Sequence, residues 1–295
     1  MLSIEKLANL LVLVLLVEMM VTAGLGVSLS ELVEVVRNVP LLFRAGLANY
    51  VLIPAIAILL LYIFQARPMV AAGFLLVAVC PAAPFAPPLT AMAKGNVPVS
   101  VGLMVVLAGS SAILAPLLLT ILLPLVARGA SLKFDTVKIA TTLLMAQLLP
   151  LGVGLLVRFK LSQVAERLRR PANLLTAFLS VVVFVLLVTL QYPTLAEIRW
   201  KSFAGICVLV LLCLAAGWIV GGRVTAIRRA VGMTTAARNV GVALVIATAS
   251  FAESAAVTAV ILFAMFQTIG LLAIALWIGR SRLTPQAAFS DGEIQ

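Results

Sequence analysis

The chain has 295 residues, of which 64 % are apolar and only 11 % charged, with a net charge of +11 and no histidine. Soluble domains carry about 25 % charged residues, so this balance excludes an ordinary soluble globular protein. The missing histidine removes the commonest general base and metal ligand, and the positive charge sits between apolar runs with no nucleic-acid motif beside it.

A helix crossing a bilayer needs about 20 apolar residues, and nine stretches qualify. The first, 7–27, carries Glu18 within it. It exceeds the roughly 7–15 apolar residues of a signal peptide and is read as a retained helix. The second covers 40–64. The third, 69–93, runs into VCPAAPFAPPLTAMAKGN (79–96), with prolines at 81, 84, 87 and 88. Proline deletes a backbone donor and clashes with the preceding turn, so this density predicts a broken helix. Pro87 and Pro88 are placed to open its second half, because proline suits the first helical position. The fourth stretch, 98–127, holds Ser100, Met104, Ser110 and Ser111, and the fifth, 136–157, holds Gln147. The sixth and seventh cover 172–191 and 201–221. The eighth, 225–250, contains GMTTAARNVG (232–241), where Gly232, Gly241, Thr234, Thr235 and the Arg238–Asn239 pair predict a second break. Arg238 is the only charge from Val231 to Ala252. The ninth, 254–278, carries Gln267 and Thr268.

Apolar spans of this length, joined by short loops and without strict alternation, predict an all-α integral membrane protein, one bundle with no soluble domain. Broken helices in corresponding positions of two halves mark a transporter binding site. Four spans followed by five fit an inverted repeat in which the third and eighth are partners and cross. With the amino terminus outside and the carboxyl terminus cytoplasmic, most Lys and Arg fall inside, led by Arg158, Lys160, Arg167, Arg169 and Arg170. The expected location is the bacterial inner (plasma) membrane. Cys80, Cys207 and Cys213 all lie in apolar segments without metal-ligand spacing, and neither metal nor cofactor is expected.

Several of these stretches resemble the bile acid:sodium symporter superfamily. AGLGVSLSELVEVVRNVPLLFRAGLANYVLIPAIA (23–57) is similar to the family's Gly-x-Gly-Leu-Thr-Leu run and its proline-ended next helix. CPAAPFAPPLTAMAKGNVPVSVGL (80–103) is similar to its Cys-Pro-Gly-Gly-Thr-Ala-Ser-Asn stretch and the Leu-Ala-Arg/Lys-Gly-Asn/Asp that follows. TTAARNVGVAL (234–244) stands in the place of Glu-x-x-x-Gln-Asn-Ser-Gly-Leu, and LFAMFQTIG (262–270) where the family has an aromatic followed by His-Asn. The resemblance implies a panel domain of 7–27, 136–157 and 172–191. It implies a core domain of 40–64, 69–93, 98–127, 201–221, 225–250 and 254–278, with substrate between panel and core near the crossing. It also implies a sodium site, from which this chain departs. Ala86 and Pro87 replace the family's Ser-Asn pair, Met104 its Thr, Thr234 its Glu and Arg238 its Gln; Ser100 and Asn239 are kept. A hard cation needs several oxygen ligands, so family-type sodium coupling is not expected.

These readings converge on a secondary transporter of a small organic anion, embedded in the lipid bilayer and working by alternating access. Sodium- or proton-coupled symport and a passive uniporter or channel are the alternatives. An enzyme is not expected, for want of paired carboxylates, a histidine or a phosphate loop. Arg238 either stands in for the missing ion, holds the substrate, or is a structural arginine paired with Glu18 or Glu253. Glu18 is also a candidate for carrying a proton. Asn239 and Gln267 are the stronger site candidates, because buried amides need several partners; Thr268, Thr234, Thr235, Pro87, Pro88, Thr90 and Ser100 complete the set. Oligomeric state is left open.

Overall fold

Eight helices among the described residues are long and apolar enough to cross a membrane. The computed structural model describes residues 4–127, 135–196, 200–251 and 254–280, and every regular element in them is helical. α1 is Ile4–Leu25 and α2 is Leu29–Arg37. α3 (Val39–Leu47) continues into α4 (Ile53–Ile63) through a π turn at Ala48–Leu52. α5 (Pro68–Val79) and α6 (Ala86–Met92) are short, and α7 (Val97–Ala127) is long. α8 (Thr136–Leu143) continues into α9 (Leu149–Lys160) through a second π turn, Leu144–Leu148. α10 (Ser162–Ala196), α11 (Trp200–Val220), α12 (Thr225–Ala236), α13 (Val240–Ser250) and α14 (Ala255–Arg280) follow.

The third expected span is therefore not one helix but the pair α5 and α6, neither of membrane length. Pro87 and Pro88 stand in the first turn of α6, where a missing N–H costs nothing. The eighth span does break, between Ala236 and Val240. The π turns have a related cause. Pro54 and Pro150 lack an N–H and clash with the carbonyl four residues back; a widened turn just before each absorbs the mismatch.

Two elements differ from expectation. The 28–39 segment, read as a loop, contains α2, whose start is a capping box. The Ser28 hydroxyl accepts the Glu31 N–H at 3.3 Å, and the Glu31 carboxylate accepts the Ser28 N–H at 2.9 Å. α10 begins at Ser162, well before the expected 172, because its first turns are polar and still helical.

Small residues set the packing, as expected where van der Waals contact drives association. α1 lies on α9 through Gly24 and Gly154; a Cβ on Gly24 would come within 2.6 Å of the Leu151 carbonyl oxygen. α1 and α9 also pack on α10, while α12 packs on α11 and α14 on α5. The interrupted Thr225–Ser250 span is mostly buried, whereas Ser162–Leu190 is mostly not. That contrast puts the second broken helix at the centre of the bundle and α10 at its edge.

Candidate functional site

The two breaks meet. α5 stops at Val79, and the chain from Cys80 to Phe85 is non-helical, with Ala82 at φ +58°. α12 stops at Ala236, and Asn239 caps α13 by accepting the Val242 N–H on its side-chain oxygen at 3.3 Å. Two backbone bonds join the segments: the Ala83 N–H donates to the Ala237 carbonyl and the Asn239 N–H to the Cys80 carbonyl, each at 2.8 Å.

Helices that end inside a membrane leave their last carbonyls short of donors and present the negative end of the helix dipole. Arg238 answers both needs. Its fully buried guanidinium donates through Nε to the Val77 carbonyl at 3.3 Å and through Nη2 to the Ala78 carbonyl. Nη1 donates to the Asn49 side-chain oxygen at 2.6 Å and to the Thr235 carbonyl at 3.3 Å. One side chain thus ties the C-terminal end of α5 to that of α12. Hydrogen bonds from a charged donor contribute about 1.5–3 kcal/mol each. Four of them offset an arginine insertion cost of about 2.5–3.5 kcal/mol, with no carboxylate bonded to it among the described residues.

Further amides fix this geometry. Gln267 of α14 clamps the Arg238 main chain, its oxygen accepting the Arg238 N–H at 2.6 Å and its Nε2 donating to the Arg238 carbonyl at 3.0 Å. Asn49, in the first π turn, donates to the Ala45 carbonyl at 2.9 Å and to the Thr235 hydroxyl at 3.2 Å. Asn49 was not among the expected site residues, although an amide inside an apolar span is the same kind of signal that singles out Arg238. Alongside runs a buried hydroxyl chain, in which Thr90 donates to Ser100 at 3.0 Å and Ser100 meets Thr234 at 2.8 Å. These oxygens satisfy one another and stitch α6, α7 and α12 together.

The remaining candidates divide. Pro87 is buried at the start of α6, whereas Pro88 and Thr268 are exposed and stand apart from this network. Glu18 is half-buried and accepts the hydroxyls of Thr22 at 2.7 Å and Thr176 at 2.6 Å, tying α1 to α10. Its bonds are to threonines, and Arg238 bonds carbonyls and an amide, so the expected Arg238–Glu18 pair does not form. Glu253 lies outside the described residues. Arg229, at the start of the expected eighth span, is buried within α12 and donates Nη1 to the Ala93 carbonyl just past the end of α6, at 3.0 Å. Gln147, in the second π turn, donates to the Ala108 carbonyl and to Ser111 at 2.9 Å, packing as expected of a helix-linking amide.

No curated protein matches the chain. The profile of the Sodium Bile acid symporter family matches residues 13–198, a stretch that includes the first broken helix and ends before the second. With that match over more than half its length, and with helices fit to cross a membrane, the chain is an integral membrane protein belonging to the Sodium Bile acid symporter family, a family of transporters.

Proposed function

We propose that the chain is a secondary transporter of a small organic anion in which Arg238 takes the place of a bound coupling cation. The observation that carries this reading is the guanidinium's set of neutral acceptors: Val77, Ala78 and Thr235 carbonyls and Asn49. Helix-terminal carbonyls are the ligands a sodium ion seeks in broken-helix transporters, and here a tethered cation occupies them. The polar neighbours supply little else for an ion. Ala86 and Met104 offer no side-chain oxygen, and Thr90, Ser100 and Thr234 are bonded to one another.

In this reading α1, α8–α9 and α10 form the panel, the other helices form the core, and the two breaks relate the halves as a 4+5 inverted repeat. The anion sits where α13 begins. A helix N-terminus carries free N–H donors and partial positive charge, and the buried Asn239 amide nitrogen there has no hydrogen-bond partner among the described residues. Gly241 faces α1, with Leu16 and Met19 3.7 and 3.9 Å from the position of a Cβ. An anion between these surfaces contacts panel and core together, as alternating access requires.

The test is thermal unfolding of the purified protein against a set of small mono- and dicarboxylates, in sodium and in potassium chloride. The expected result is an anion-dependent rise in Tm that is equal in the two salts and is lost in Arg238→Gln. A rise that requires sodium sinks the ion-replacement reading; uptake of the stabilising anion by Arg238→Gln at the wild-type rate sinks the role of the arginine. Proton coupling through Glu18 is the second reading, and uptake by Glu18→Gln that still follows a pH gradient excludes it.

A further inference from the structure

The edge of the bundle carries a feature that the crossing does not use. α10 turns most of its surface outward, and one face of it reads in chain order as Arg167, Arg170, Leu174, Phe178, Val181 and Val185. Steps of three and four residues put all six on a single stripe. The four apolar members are each 56 to 65 % exposed, and both arginines are exposed. From Leu174 to Val185 the stripe runs about 16 Å at 1.5 Å per residue, close to half of a hydrocarbon core about 30 Å thick. Two guanidinium groups at the head of a leaflet-deep apolar track match one phospholipid, phosphate above and acyl chain below.

The charge of this end also selects a lipid class. Glu166, the one acid on this stretch, is held by Arg158 at 2.9 Å. Among the described residues no acid pairs with Arg167 or Arg170. Arg169 turns to another side, its Nε 3.8 Å from the position of a Cβ on Gly26 of α1. Arginine's planar fork suits phosphate oxygens bidentately, and basic clusters at a membrane boundary attract anionic headgroups.

We infer that the Arg167–Arg170 face of α10 is a binding site for an anionic phospholipid, in the leaflet that holds the α9–α10 turn. The inference is independent of the transported substrate and of Arg238. The test is thermal unfolding of delipidated, detergent-solubilised protein with added dioleoyl phosphatidylglycerol, dioleoyl phosphatidylcholine or glycerol phosphate. The expected result is a rise in Tm with phosphatidylglycerol alone. The rise is absent in R167Q/R170Q and kept in the charge-matched R67Q/K138Q. Equal shifts with phosphatidylcholine, a shift with glycerol phosphate, or a shift that persists in R167Q/R170Q each overturn the site. A dimer of delipidated protein that R167Q/R170Q dissociates does so too, since a second copy then occupies the face. Should the double variant not fold, the single R170Q is compared with wild type by native mass spectrometry from an equimolar mixture of the two lipids. Preferential retention of phosphatidylglycerol that falls in R170Q supports the site, and unchanged retention overturns it.

Discussion

The break between α5 and α6 is made by proline and the break between α12 and α13 by a charged residue and a capping amide. They fit because one leaves carbonyls where the other brings donors. In the first, Pro81, Pro84, Pro87 and Pro88 prevent a continuous helix whatever surrounds them. In the second, no proline is present, and Arg238 and Asn239 hold the chain open by bonds to α5, to Asn49 and to the start of α13. The first break is thus local in origin, and the second depends on tertiary partners. A substitution in the second should therefore cost more than one in the first.

The largest effect is expected from Arg238→Ala, which leaves the carbonyls of Val77, Ala78 and Thr235 and the Asn49 oxygen without this donor. Orphaned buried acceptors cost about 1–3 kcal/mol each, and removing the charge recovers its insertion cost of about 2.5–3.5 kcal/mol, so a net loss of several kcal/mol is expected, read as a large fall in Tm in detergent. Arg238→Lys should recover only part of it, because an ammonium lacks the fork that reaches both helix ends. An Arg238→Ala protein melting with the wild type would remove the distinction between the breaks. Next comes Gln267→Leu, which deletes both bonds to the Arg238 main chain and should cost about 1–3 kcal/mol. A smaller loss than for any neighbouring α14 position would mean the clamp contributes nothing. The smallest effect has the opposite sign. Ala82 sits at φ +58°, in the left-handed region that disfavours a Cβ by about 1 kcal/mol. Ala82→Gly should leave the melting temperature unchanged or raise it slightly, and a clear fall would show that the first break also depends on side-chain packing.

The difference between the breaks also explains what the sequence made legible. Proline density located the first break, and a lone charge between apolar neighbours pointed to the second. Gln267 and Asn239 stood out because a buried amide needs several partners. What the charge bonds to was not legible, since Val77 and Ala78 act through their carbonyls and no side chain announces that role. Asn49 lies far away in sequence, and only the packing of α3–α4 against α5 and α11 brings it to Arg238. α2 was missed although Ser28 and Glu31 spell its capping box, because amphipathic character in a short connection carries less weight than a long apolar run.

The bonds of Arg238 have a consequence for energetics. A cation joined to the chain by covalent bonds is never released on either side, so it brings no gradient energy into a transport cycle. For the anion carrier proposed above, net flow follows the concentration ratio of the substrate and the voltage acting on its charge. That voltage contributes about 2.3 kcal/mol per elementary charge for each 100 mV. Across a membrane negative inside, it drives an anion outward. On the proposed reading, a carrier whose cation is tethered is thereby biased toward export of its anion.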